Sequence, residues 1–193
     1  MAWLVAGLGN PGARYARTRH HLGRLVVESM AEEAGERLRK VRFLPIERAE
    51  VAIGDERVTL AISTAYMNES GPSYASLAKK LEVDVDRVVA VHDELDVAKG
   101  TLRLKTGGST AGHNGLRSLE RALRSREFHR IRIGIGRPPG RQDPADFVLA
   151  QTGTREQEDL LASAAHAADA VRALILDGVS VAQERYNNTG PGG

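Results

Sequence analysis

The chain has 193 residues, a net charge of +2 and no cysteine. That length makes one domain the expectation, and the missing cysteines exclude disulfides, thiol nucleophiles, iron–sulfur clusters and cysteine zinc sites. Charge is uneven: residues 99–141 hold 11 Lys and Arg against two acids, and the remainder holds 16 against 23, so a basic face and a phosphate-rich partner are expected.

Trp3 to Gly7 reads as a short apolar strand running into a glycine turn, and Leu8 to His20 as loop. Leu22, Leu25, Val26, Met30 and Ala34 recur at helical spacing, with Gly35 as a stop. Phe43 to Ile53 and Arg57 to Ile62 flank Gly54-Asp55-Glu56 as a hairpin. Ser73 to Leu81 is a short helix, and Arg87 to Val91 a valine-rich strand ending at His92-Asp93. Thr101 to Lys105 and His129 to Ile135 alternate apolar and polar residues. Between them lie a glycine-rich loop, Thr106 to Asn114, and a helix with Leu116, Leu119 and Leu123 inward. Arg155 to Leu176 is the longest helix, with Leu161, Ala165, Ala168 and Ile175 expected on its buried stripe. Val181 to Tyr186 adds a final turn.

Strands alternating with helices predict an α/β fold, a twisted sheet flanked by helices on both sides. The hairpin makes that sheet mixed. The expected organisation is a single domain over residues 1–189 and a disordered tail over 190–193. No stretch approaches the roughly 20 apolar residues of a membrane span, and Met1-Ala2-Trp3-Leu4 has no basic leader or apolar signal segment. A cytoplasmic protein without a membrane partner is the expectation.

Gly7-x-Gly9-x-x-Gly12 matches the dinucleotide fingerprint. In that motif a helix begins at the glycines and an acid closes the next strand about 20 residues on. Here loop continues to Leu22, and Glu32 and Glu33 fall inside the helix, so no dinucleotide is expected.

His20, His21, His92 and His113 lie at loop edges near the expected carboxyl end of the sheet, where α/β sites sit. An imidazole accepts a proton at neutral pH, and a carboxylate on its far nitrogen fixes the tautomer. Asp93 at a strand end is the natural partner. No serine occupies a Gly-x-Ser-x-Gly turn, so water is the simplest nucleophile. His92, Asp93 and Glu94 are ligand types, but neighbours on a strand point to opposite faces, and no metal is expected. Asn10, Asn68 and Asn114 each sit among turn residues. One such Asn merely shapes backbone, whereas three in converging loops can hold an amide, align a water or receive an oxyanion. Arg130 and Arg132 are expected to turn outward from a strand that buries Ile131 and Ile133. Arg103 and Lys105 do the same on theirs, and if the two strands pair, like charges face each other. With aromatics at 4%, backbone recognition is expected over base stacking. A hydrolase acting on a nucleic-acid-linked ester, a nucleotide-binding Rossmann-like module, a non-catalytic RNA-binding protein and a general esterase all remain open at this point.

The chain resembles the bacterial-type peptidyl-tRNA hydrolases in five ordered segments. These are Val5-Ala6-Gly7-Leu8-Gly9-Asn10-Pro11-Gly12, Tyr15-Ala16-Arg17-Thr18-Arg19-His20-His21-Leu22-Gly23, His92-Asp93-Glu94-Leu95-Asp96, Gly112-His113-Asn114-Gly115-Leu116-Arg117 and Phe128-His129-Arg130-Ile131-Arg132-Ile133-Gly134-Ile135-Gly136. The resemblance implies a monomeric three-layer α/β/α enzyme without cofactor that cleaves the ester between peptide and tRNA. It implies His20 as general base, Asp93 as its partner and Asn10 beside them in the catalytic group. Tyr15, Met67, Asn68, His113 and Asn114 would bind substrate, with Tyr15, Asn68, Asn114, Lys105 and Arg132 contacting the acceptor stem and 3′ end of tRNA. His21 departs from the family's usual Asn or Thr, Tyr66 from its Phe, and Glu69 from an apolar residue.

Overall fold

Seven strands form one sheet: β1 (Ala2–Gly7), β2 (Arg39–Lys40), β3 (Ile46–Ile53), β4 (Glu56–Ser63), β5 (Val88–Glu94), β6 (Leu102–Thr106) and β7 (His129–Gly134). This computed structural model describes residues 2–192. Met1 and Gly193, the outer limits of the expected domain and tail, lie outside the described residues. The sheet order is β2-β3-β4-β1-β5-β7-β6. The central four strands, β4, β1, β5 and β7, run parallel, and the flanking pairs are antiparallel. The expected mixed sheet and the Gly54 hairpin are both present.

The helices are α1 (Leu22–Glu33), α2 (Gly71–Lys80), α3 (Asn114–Leu123), α4 (Pro144–Leu149), α5 (Thr154–Asp177) and α6 (Val179–Tyr186). Side chains alternate across a strand, and here both faces are covered. Val5, Val89 and Val91 pack with α1, α5 and α6. Leu4, Ala6, Val88 and Ala90 pack with α2 and α3. Val88 to Val91 are all fully buried, which is why this central parallel strand reads as an unbroken apolar run. Each fully buried valine contributes on the order of 1.5–3 kcal/mol. No helix among the described residues is long and apolar enough to cross a membrane.

Gly7 of the false dinucleotide motif and Gly23 of α1 serve packing. A Cβ at Gly7 would lie 2.6 Å from Gly23 O, and one at Gly23 only 2.1 Å from Val91 O. α1 therefore presses directly onto the ends of β1 and β5. This contact fixes where α1 begins, and His20 sits just before that beginning.

Three sequence expectations need correction. The buried stripe of α5 is Leu160, Ala164, Ala167, Ala168, Val171, Leu174 and Ile175, whereas Leu161 and Ala165 are exposed. In a helix this rich in alanine several faces look apolar, and packing against α1 and the sheet selects one. Arg130 is buried, not outward. Its face of β7 is roofed by the loop ahead of α3. There Arg130 donates to Ser109 O at 2.9 Å and Arg126 O at 3.4 Å, beneath the Phe128 ring. Arg132 keeps partial exposure but pairs with Glu94. The register does place Arg103 opposite Arg132 and Lys105 opposite Arg130. Third, α4 stands in the stretch between Ile135 and Arg155, where the sequence reading placed no element.

Candidate active site

Loops leaving the parallel strands β1, β4 and β5 at their carboxyl ends carry Asn10, Asn68 and the segment after Asp93. Two hydrogen bonds from Tyr74 hold the first two strand ends together: its hydroxyl donates to Gly7 O and accepts from Ser63 N, each at 2.9 Å. A cleft of about 370 Å³ opens here, lined by His20, Asp93, His113 and Asn114 of the expected residues.

Asp93 is the hub. Its Oδ2 lies 2.8 Å from His20 Nδ1, and its Oδ1 lies 2.9 Å from His113 Nε2. Burial alone would raise the Asp93 carboxyl, but the two imidazoles outweigh it and hold the group well below the usual carboxylate range. Burial likewise pushes the His20 imidazole down, and the Asp93 charge and hydrogen bond reverse this, so its pKa ends above the ordinary histidine value. An anionic Asp93 accepts the hydrogen bond of His20 Nδ1–H, which leaves Nε2 as the basic nitrogen.

The tautomer of His113 is set by the fold. It is the N-cap of α3, and its Nδ1 accepts from Leu116 N at 3.3 Å. Nε2 must therefore carry the proton that it donates to Asp93. Both ring nitrogens are engaged inside the protein, while the residue lines the cleft. His92 packs edge-on at 4.8 Å from the His113 ring. Its Nδ1 donates to Asp93 O at 2.8 Å. Burial, then the His113 ring, pushes the His92 pKa down to about 3, so it is a neutral wedge.

His20, Asp93 and His113 offer nitrogen and oxygen atoms within 4.8 Å of one another, a spacing that a cation could use. The hydrogen bonds argue otherwise. A metal on His113 Nε2 would drive the proton to Nδ1, against the Leu116 N–H. The set fits a hydrogen-bonded relay better than a ligand cage.

The remaining expected residues, Asn10, Tyr15, Met67, Asn68, Lys105 and Arg132, lie outside the lining of this cleft. Asn10 Oδ1 accepts from Met67 N at 2.7 Å and is buried, so its carbonyl is spent while its Nδ2 stays available as a donor. A Cβ at Gly115 would fall 2.5 Å from Met67 Sδ and 3.0 Å from His113 Cε1, so Met67 is wedged against the start of α3. Asn68 follows Met67 and is exposed, as is Asn114 at the cleft. Tyr15 is half-buried, with its ring edge-on to Tyr66 at 6.4 Å. Lys105 is exposed and lies over Gly108. Arg132 bonds through Nε to Glu94 at 2.9 Å, beside Asp93 on β5. His21 turns to Glu28 at 3.6 Å.

Sequence reading missed one wall. Pro144, Ala145, Val148 and Leu149 of α4 supply an apolar side to the cleft. The signal was Asp143-Pro144: the Asp143 side chain caps Ala145 N, and Pro occupies the first turn. Arg19, next to His20, stacks its guanidinium 4.0 Å from the Phe147 ring and donates to Phe147 O at 3.3 Å. The wall is thereby tied to the segment that bears the base.

The chain matches the Peptidyl-tRNA hydrolase family over residues 4–191. It is 48% identical to the peptidyl-tRNA hydrolase of Kineococcus radiotolerans, with 96% of this chain and 97% of that one covered. With that of Frankia casuarinae it shares 49% identity, over 96% and 93%. The crystal structure of peptidyl-tRNA hydrolase from Acinetobacter baumannii superposes with a TM-score of 0.90 at 35% identity, covering 98% of this chain and 96% of that one.

Proposed function

The chain belongs to the peptidyl-tRNA hydrolase family, and from that premise we propose that His20, steadied by Asp93, activates the water that cleaves the ester joining peptide to tRNA. The protein is a hydrolase of peptidyl-tRNA. The observation that carries the mechanism is the 2.8 Å contact between His20 Nδ1 and Asp93 Oδ2 at the wall of the cleft.

His20 Nε2 takes a proton from water, and the imidazolium is stabilised by the anionic Asp93. The water oxygen attacks the ester carbonyl carbon. Negative charge moves to the carbonyl oxygen, which receives a hydrogen bond from an amide donor such as Asn114. The intermediate then collapses, the bond to the ribose oxygen breaks, and that oxygen takes the proton back from His20 Nε2. General base catalysis of this kind contributes about 10²- to 10⁴-fold.

Asn10, Met67 and Asn68 form the peptide-binding side of the site. Neutral amides there accept a blocked α-nitrogen and offer no carboxylate to a free ammonium, so peptidyl esters are preferred over aminoacyl esters. Lys105 and Arg132 grip the acceptor stem, with Tyr15, Asn68 and Asn114 near its 3′ end. One chain supplies every residue of the site, which fits a monomer. A cysteine-free chain acting on a product of translation fits the cytoplasm.

The test is release of N-acetyl-amino acid from tRNA by wild type and His20→Ala, with tRNA affinity measured for both. Loss of turnover with retained affinity is expected; retained turnover would refute the role of His20. Asn10→Ala should lower the ratio of peptidyl to aminoacyl hydrolysis, and an unchanged ratio would remove Asn10 from substrate selection.

A further inference from the structure

Arg24 lies on the first turn of α1, just after the base, and touches three segments around the site. Only 12% of its side chain is exposed. Nη1 donates to Ser63 O at 3.1 Å, and Nε donates to Glu28 Oε1 at 3.0 Å. The other oxygen of Glu28 lies 3.6 Å from Nε2 of His21, the neighbour of the base. The stem of Arg24 covers Gly9, where a Cβ would lie 2.8 Å from Arg24 Cβ and 3.5 Å from His21 Cα. One side chain therefore joins the Gly9-Asn10 turn, the His20-His21 segment and the end of β4.

Ser63 is the residue through which this contact reaches the site. It ends β4, and the chain leaves it for Met67 and Asn68. Both of its backbone groups are held: the N–H donates to the Tyr74 hydroxyl at 2.9 Å, and the carbonyl accepts from Arg24. Ser63 Oγ accepts from Ala65 N at 3.1 Å, which turns the chain into the loop. Asn10 Oδ1 then accepts from Met67 N at 2.7 Å. Helix stability does not account for the arginine. A pair one helical turn apart adds little, and desolvating a guanidinium for it is costly. The bond to Ser63 O leaves the helix altogether and spans 39 residues of chain. Burial alone would raise the Glu28 carboxyl, but His21 and Arg24 outweigh it and hold the group below its ordinary value, so an anion faces the guanidinium.

We propose that Arg24 is a positioning residue that sets the spacing between the His20 segment and the side of the site formed by Asn10, Met67 and Asn68, an assignment resting on the reading above that this side receives the peptide. Arg24 does not line the cleft and acts through others. It fixes Ser63 O, Ser63 fixes the start of the loop, and Met67 N carries that placement to Asn10. Asp93 bonds His20 and His113, not Arg24. Loss of the guanidinium therefore loosens the grip on the peptide and leaves proton transfer in place. The forked donors are needed because acceptors on two different elements are held at once, whereas the point charge of a lysine serves one.

The test is Arg24→Met, which keeps the stem against Gly9 and removes the donors. Hydrolysis of N-acetyl-aminoacyl-tRNA and of aminoacyl-tRNA is followed, and affinity for uncharged tRNA is measured beside it. KM for the N-acetyl ester should rise several-fold with kcat nearly held, and the ratio of peptidyl to aminoacyl hydrolysis should fall. Affinity for uncharged tRNA and the acid limb of kcat/KM should not move. Arg24→Lys should give an intermediate KM, and it carries the comparison alone if Arg24→Met does not fold. A loss of kcat at constant KM, or a loss shared by uncharged tRNA, would overturn the assignment and leave Arg24 a support of the fold. If wild type released no peptide, the hydrolase mechanism would fail instead, and amide exchange would still decide Arg24. Protection over residues 64–70 should drop relative to β5 in the variant, and unaltered protection would overturn the proposal.

Discussion

His20 and Asp93 are 73 residues apart in the chain and 2.8 Å apart in space. Burial opposes the charged imidazole, and the carboxylate more than compensates, so the pKa of His20 lies above its ordinary value of 6.5. On the proposed mechanism, catalysis needs the unprotonated ring. kcat/KM should therefore fall as pH drops through that raised value. Asp93→Asn removes the compensation but leaves the burial. The acid limb should then move to lower pH, while kcat falls about 10²- to 10⁴-fold as the tautomer is lost. A profile of kcat/KM from about pH 5 to 9 decides it, and a limb that stays in place would show that Asp93 is not the cause.

The same contact predicts a pH-dependent stability. The folded state holds the His20 proton more tightly than the unfolded chain does. Its contribution is complete below about pH 6.5 and is lost as pH rises through the folded value. The depressed Asp93 carboxyl contributes above about pH 4, and that contribution is lost as pH falls through its folded value. His20→Gln should consequently lower Tm more near pH 6 than near pH 8.5. Equal decrements at the two pH values would contradict this.

On the proposed mechanism, His113 acts through Asp93, to which its Nε2 donates. His113→Ala leaves a carboxylate oxygen without its donor and α3 without its cap, which together cost about 2–4 kcal/mol. kcat should fall about 10- to 100-fold with KM nearly constant. His113→Asn separates the two effects, since an asparagine caps the helix but is too short to reach Asp93. It should recover the part of Tm that the cap supplies and not kcat. A change confined to KM would instead place His113 against the substrate.

Gly23 is where α1 meets the sheet. An alanine Cβ there would sit 2.1 Å from Val91 O, a backbone atom that cannot step aside. Gly23→Ala should cost about 3 kcal/mol or more and reduce kcat, because α1 must lift and carry His20 with it. Gly12→Ala is the control: φ is +96° with nothing within 4 Å, so about 1 kcal/mol of backbone cost is expected. Urea midpoints compare the two, and similar losses would mean that the close packing of α1 is not what Gly23 protects.

What the sequence revealed and hid follows from range. The fully apolar run Val88 to Val91, the hairpin at Gly54 and the helix from Leu22 are local patterns, and each was legible. Asp93 was legible as a residue at a strand end and His20 as one at a loop edge, where the sheet gathers its loops. The role of His113 was not, because it depends on a hydrogen bond to Leu116 N that exists only once α3 forms. α4 was too short to show a period. Arg130 misled for a related reason: alternation marks which residues share a face, but not whether that face meets water.

Arg130 gives the last expectation. Its guanidinium spans the carbonyls of Ser109 and Arg126 under the Phe128 ring, and burial lowers its pKa. Arg130→Met would fill the volume and remove the donors. Stability alone would not discriminate, since an apolar replacement of a buried ion is often neutral. The loop should respond, because Ser109 O loses its tether and the segment from Gly107 to His113 borders the cleft. Amide exchange in that loop should quicken relative to β7, and kcat should fall as His113 and Asn114 lose their fixed positions. Unaltered protection of the loop amides would show that the glycine-rich segment holds its shape without this arginine.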